Sequence, residues 1–157
     1  MKIQLWSIGK ANEPFIKDGV ADFTNRISKY FPVSWQIISH PKNAGLLSQT
    51  DLRKKEASII LQMLKPEDFL VALDERGKEF TSEKLASFLQ TRANESTRSI
   101  VFLIGGAYGI DDALFVRSGL KWSLSQLTFP HQLVRLILAE QLYRACTILR
   151  NEKYHHG

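Results

Sequence analysis

At 157 residues, 44% hydrophobic and 24% charged, the chain fits one domain (1–157) whose core needs neither metal nor disulfide. A single cysteine (Cys146) excludes an internal disulfide, and an amino terminus without a signal-like apolar core, with no bilayer-length apolar run, predicts a cytoplasmic protein. The net charge of +5 gathers at the carboxyl end, where Arg117, Lys121, Arg135, Arg144, Arg150 and Lys153 face only Glu140 and Glu152. That distribution suits an anionic partner, or a basic surface that serves solubility alone.

In chain order, residues 2–8 alternate and are β-rich, and predict a first strand. Residues 9–14 turn the chain into a helix with the stripe Ile16, Val20, Phe23, Ile27 and Phe31, closed by Pro32. A second strand follows over 33–39, then a loop over 40–49. A helix over 51–64 carries Leu52, Ile59, Ile60, Met63 and Leu64. The third strand, 69–73, is stopped by Asp74-Glu75-Arg76-Gly77. Thr81 or Ser82 caps a helix with Leu85, Phe88 and Leu89 on its buried face. Residues 99–104 form a short apolar run of the kind buried on both faces of a sheet, ending in Gly105, Gly106 and Gly109. A short helix over 111–118, a short strand ending near Leu124 and a last helix over 130–150 complete the chain. This alternation predicts an α/β fold, a mostly parallel sheet with helices on both faces.

The last helix is apolar nearly all the way round, through Leu133, Val134, Leu136, Ile137, Leu138, Ala139, Leu142, Ala145, Ile148 and Leu149. One side packs on the sheet and the other calls for a second subunit, which predicts a homodimer. Cys146 falls in this pattern and reads as a small buried hydrophobe. Glu140 and Arg144 are spaced as a helical ion pair, and His131 and Arg135 share a face one turn apart.

Several chemistries lack their residues. There is no phosphate-binding loop, no Cys-x-x-Cys and no His-Glu-x-x-His, and the glycines at 105, 106 and 109 do not have dinucleotide-fold spacing. No metal is expected. Those glycines fit either a tight strand-to-helix turn or a backbone that approaches a ligand. The segment Leu124-Ser125-Gln126-Leu127-Thr128-Phe129 mixes apolar and small polar side chains. It suits a flat heteroaromatic such as adenine, or a partly buried connection.

Leu73-Asp74, Ile104-Gly105-Gly106-x-x-Gly109, Trp122-Ser123-Leu124-Ser125, Leu127-Thr128-Phe129-Pro130-His131, Leu133-Val134-Arg135, Glu140-Gln141-x-Tyr143-Arg144-Ala145 and Lys153-Tyr154-His155 share one pattern. It resembles the large-subunit ribosomal RNA methyltransferase H family, small SPOUT-class enzymes that use S-adenosylmethionine to methylate N3 of a pseudouridine. The resemblance runs the whole length, and is most specific in the carboxyl half. It implies a trefoil knot near the carboxyl end and a cofactor site at Leu73, Gly105, Leu124, Ser125, Gln126, Leu127, Thr128 and Phe129. It implies a homodimer in which one subunit's tail completes the other's site, acting on large-subunit ribosomal RNA in assembled ribosomes. In that frame Arg144 and His155 stabilise the anion formed at N3, and Tyr154 positions or stacks the base. His131 and Arg135 contact RNA or support the cofactor loop, and the tail over 150–155 is expected to be mobile in the free enzyme. Two rivals differ in class: a non-catalytic nucleotide- or RNA-binding α/β module, and a small nucleotide-using enzyme acting on a metabolite.

Overall fold

The computed structural model describes every residue, Met1–Gly157, as a five-stranded sheet with helices on both faces. The elements are β1 (Lys2–Ile8), α1 (Pro14–Ile27), β2 (Val33–Ile38), α2 (Gln49–Met63), β3 (Asp68–Glu79), α3 (Ser82–Asn94), β4 (Ser99–Ile104), α4 (Asp112–Arg117), β5 (Leu120–Ser123) and α5 (His131–Leu149). The strand order is β2-β1-β4-β3-β5 and every ladder between these strands is parallel. β4, at the centre, is buried at all its positions, as its unbroken apolar run requires.

Two cores sandwich the sheet. On one face Ile3, Leu5, Ile100, Phe102 and Trp122 pack with Ile27 of α1, Leu85 and Leu89 of α3, and Leu138, Leu142 and Cys146 of α5. On the other, Val101, Leu103, Leu70 and Ala72 pack with Ala57 and Ile60 of α2 and Leu114 of α4. The alternating pattern therefore produced the expected architecture.

The boundaries differ where local chemistry intervenes. α1 ends at Ile27, because the amides of Tyr30 and Phe31 both turn back to the Ile27 carbonyl. Phe31 still packs on the core, from outside the helix. α2 starts at Gln49 because the Ser48 hydroxyl caps it, accepting from the Asp51 amide at 3.1 Å. Thr81 is the cap of α3, by the same contact to Lys84.

The largest difference lies in β3, which does not stop at Leu73. Leu73 and Lys78 both pair with Trp122 of β5, so Asp74-Glu75-Arg76-Gly77 bulges out and the strand resumes. The Asp74 carboxylate accepts from the Arg76 amide at 2.8 Å and its Nε at 3.0 Å, closing the bulge as a tight Asx turn.

The environment of α5 also departs from expectation. Its apolar residues are all at least half covered within one chain, because the helix lies between α1 and α3. The need for a second subunit thus shrinks to one stripe: Leu133, Leu136 and Ile137 belong to neither core.

Candidate active site

In a parallel sheet every strand-to-helix connection lands at the carboxyl edge, where open α/β folds hold ligands. A cavity of about 860 Å³ opens there, at the ends of the neighbouring strands β4, β3 and β5. Leu73, Gly105, Leu124, Ser125, Leu127, Thr128, Phe129 and His131 all line it, which brings three separated sequence segments together as expected. Gln126 is exposed beside the cavity and is not part of its wall.

The floor is backbone. A Cβ on Gly105 would fall 2.6 Å from Ile110 Cγ1 and 3.2 Å from the Gly109 carbonyl, so only glycine lets the 105–110 loop close. Gly109 has φ +86, a left-handed conformation that favours glycine. Behind the floor lies Glu56 of α2, 4% exposed, with Oε2 unpaired and His40 Nδ1 at 3.7 Å. Burial raises its carboxyl pKa, against the opposing pull of His40.

The walls divide by chemistry. Leu73, Ile104, Leu124, Phe129 and Val134 supply apolar surface for a flat ring. Asp74, Glu75, Asp111 and Asp112 supply carboxylates, while Arg53 and Lys54 of α2 and Arg76 of the bulge supply cations. The Thr128 hydroxyl donates to Glu75 Oε2 at 3.2 Å, clasping the bulge to the 124–129 segment. Asp74 is held below the usual carboxylate range by its bonds to Arg76, which outweigh its burial.

The α2 residues and the bulge were not singled out from the sequence. The signal for α2 was available, since the start of a helix that follows a parallel strand must lie at this edge. The bulge had none, because its return to the strand depends on Trp122 some forty residues later.

Arg135 is corrected. It is 1% exposed and cannot touch RNA as a surface cation; its guanidinium bonds Ser7 Oγ, the Lys10 carbonyl and Asn12 Oδ1. His131 is half-buried on the cavity wall. Burial, then the charges of Arg135 and His40, hold its pKa below the usual histidine value.

Arg144, Tyr154 and His155 form a second cluster, away from this cavity. Arg144 pairs with Glu140 (Nη2 to Oε2, 3.1 Å), so the helical ion pair exists. The Tyr154 hydroxyl donates to the same oxygen at 2.9 Å, and the guanidinium lies 4.8 Å from the Tyr154 ring centroid. Burial first, then Glu140, raises the Tyr154 pKa. Arg144 Nη1 is 3.1 Å from His155 Nδ1, and His155 Nε2 is 2.7 Å from Glu83 Oε1. A guanidinium only donates, so Nδ1 accepts and Nε2 carries the proton toward Glu83.

The tail is therefore docked rather than loose. Asn151 at φ 53 turns it back, and Glu152 accepts from the Tyr30 hydroxyl at 2.7 Å. From Val134, the last residue of α5 on the cavity wall, to Arg144 the helix climbs about 15 Å, so this cluster stands apart from its own chain's cavity.

With this geometry in view, comparison with known proteins is decisive. The family described as predicted SPOUT methyltransferases matches residues 1–155. The chain belongs to the SPOUT methyltransferase family. It is 47% identical over 156 residues to a ribosomal RNA large subunit methyltransferase H of Cytophaga hutchinsonii, covering 99% of this chain and all of that one. The protein of that name from Parabacteroides distasonis is 42% identical, with 99% of each chain covered. Among solved structures, a probable methylase family protein of Haemophilus influenzae shares the fold, with a TM-score of 0.54 at 7% identity over 99% of this chain and 70% of that one. S-adenosylmethionine is the cofactor of this methyltransferase, and the cavity fits it. The apolar wall suits adenine, the glycine floor admits close approach, and the carboxylates suit the ammonium and sulfonium groups. No group of residues suited to a metal ion is present, and no helix is long and apolar enough to cross a membrane.

Proposed function

We propose that this chain methylates N3 of a pseudouridine in large-subunit ribosomal RNA, on assembled ribosomes in the cytoplasm. The observation that carries the reading is the glycine-floored cavity at the ends of β4, β3 and β5. It lies in a chain 47% identical, over its whole length, to a relative named for large-subunit ribosomal RNA methylation. When bound, the cofactor supplies an electrophilic methyl group on a sulfonium. The residues of the 124–129 segment and the Gly105 loop hold it, and Asp74 and Glu75 orient its cationic portion. The whole chain, 1–157, acts as one domain. The trefoil knot of the family is part of this reading. β3 separates β4 from β5, and the 124–129 segment runs back beside Leu73 and Gly105 before entering α5.

The working unit is a homodimer. Two observations support it: the partly buried stripe Leu133, Leu136 and Ile137 that belongs to neither core, and the span of about 15 Å along the helix between Val134 on the cavity wall and Arg144. A two-fold axis across α5 sets each cluster over the other chain's cavity. There the N3 proton leaves a base whose charge spreads over two flanking carbonyls. Arg144 stabilises that anion by donating hydrogen bonds, His155 supports it by holding the guanidinium through Nδ1, and Tyr154 stacks on the ring. Glu140 holds Arg144 and Tyr154 in place.

The test is mass spectrometry of ribosomal RNA from cells lacking the gene, with methyl transfer to their ribosomes by the purified protein. Loss of one methyl at a large-subunit pseudouridine, restored by the protein, is expected. Full methylation without the gene refutes the proposal.

A further inference from the structure

The largest fully buried side chain in the protein is a charged one, Arg135. Its partners are all neutral: Ser7 Oγ and the Lys10 carbonyl at 2.8 Å, and Asn12 Oδ1 at 3.0 Å. It forms no ion pair, and burial alone lowers its pKa. A buried cation without a counter-charge is costly, and neutral hydrogen bonds offset only part of that cost.

Two of the three bonds end on the loop between β1 and α1. Gln132, in the first turn of α5, grips the same loop twice: Nε2 donates to the Ala11 carbonyl at 3.3 Å and Oε1 accepts from the Glu13 amide at 3.0 Å. At the start of the loop Gly9 has φ +144, and a Cβ there would sit 3.2 Å from Arg135 Nη2. The loop is thus fixed at the carboxyl edge of the sheet, beside His131 on the cavity wall. Lys10 stands exposed on it without an acidic partner. Glu13, its one acid, closes the loop where α1 begins. The desolvated guanidinium beneath, with no carboxylate to cancel it, adds positive potential over this backbone.

We propose that the loop over residues 9–13, locked by Arg135, is a docking shelf for the phosphate backbone of the RNA substrate, with Lys10 its exposed cation and Arg135 a positioning residue. This rests on the reading of the chain as a ribosomal RNA methyltransferase. It accounts for an uncompensated buried charge by the polyanion that arrives with the substrate.

The test measures binding to purified ribosomes from cells lacking the gene, across a potassium chloride series, for the wild-type protein, Lys10→Glu and Arg135→Met. Lys10→Glu is expected to weaken binding at least tenfold, and to reduce the slope of log K against log salt by about one. It should raise KM with little change in kcat, and leave cofactor affinity and sedimentation as in the wild type. Arg135→Met leaves Ser7 Oγ, the Lys10 carbonyl and Asn12 Oδ1 without their donor, so thermal stability and ribosome affinity are both expected to fall. An unchanged slope in Lys10→Glu, or a changed sedimentation that makes Lys10 a subunit contact, overturns the shelf. So does an Arg135→Met protein that folds and binds ribosomes normally. If Arg135→Met does not fold, Lys10→Glu decides alone. Wild-type protein that neither binds ribosomes nor methylates them refutes the functional reading instead.

Discussion

Mixing damaged subunits tests the proposed shared site, and the geometry dictates which pairs complement. Arg144 Nη1 lies 3.1 Å from His155 Nδ1 within one chain, so these two residues belong to the same half-site. A dimer of one Arg144→Ala and one His155→Ala chain has both clusters broken and no intact composite site. Gly105→Val damages the other half, the cavity floor, where a Cβ already falls 2.6 Å from Ile110 Cγ1. Joined to a His155→Ala chain, it leaves one undamaged cavity facing one undamaged cluster. With equal amounts and random exchange, about half the dimers are mixed, each with one working site of two, giving about a quarter of wild-type turnover. The assay is transfer of labelled methyl to ribosomes after subunit exchange, with mixed dimers verified by native mass spectrometry. No recovery from Gly105→Val with His155→Ala refutes a site built from two chains, and recovery from Arg144→Ala with His155→Ala refutes the placing of those two residues in one half-site.

Gly105→Ala is expected to lose about 1–3 kcal/mol by overpacking against Ile110 and to weaken cofactor binding at least tenfold; calorimetry showing normal affinity removes the floor assignment. Leu133→Asp with Ile137→Asp places charge on the stripe of α5 that belongs to neither core, and sedimentation should show monomers; a dimer moves the interface elsewhere. Burial pushes the Cys146 thiol up to about 12 from 9.0, and burial with Glu152 pushes the Tyr30 hydroxyl up to about 12 from 10.0. Both raised groups add stability in full below their ordinary values, and lose it as pH climbs toward about 12. Denaturation midpoints should therefore fall across that range, less steeply in Cys146→Ala, and a slope unchanged by the substitution contradicts the cause. His131 titrates the other way: its lowered pKa favours the neutral ring in the folded state, so stability present above about 6.5 is lost as pH drops, and His131→Gln should flatten that acid limb.

What the sequence carried and what it withheld divide along one physical line. Apolar runs and capping residues act locally, so β4, the Thr81 cap and the alternation of strands and helices were all legible. The segments that meet at the cavity were legible too, because glycines and small polar residues at strand ends mark where backbone is left bare. Features decided by a distant partner were not. Asp74 to Gly77 looks like the end of a strand, and becomes a bulge only because Lys78 finds Trp122 again on β5. Arg135 sits at surface-like spacing beside His131, and its burial follows from the β1–α1 loop folding over it. The tail looks free because its partners, Glu140, Glu83 and Tyr30, lie elsewhere in the chain. The apolar circumference of α5 correctly announced burial but not its agent, since α1 and α3 of the same chain cover most of it. Charged residues were thus the least predictable in place, because a cation's position depends on which acids, carbonyls or phosphates the rest of the molecule brings to it. Arg135 is the sharpest case, met here only by neutral acceptors in the folded chain, and its counter-charge is what the ribosome experiment is built to find.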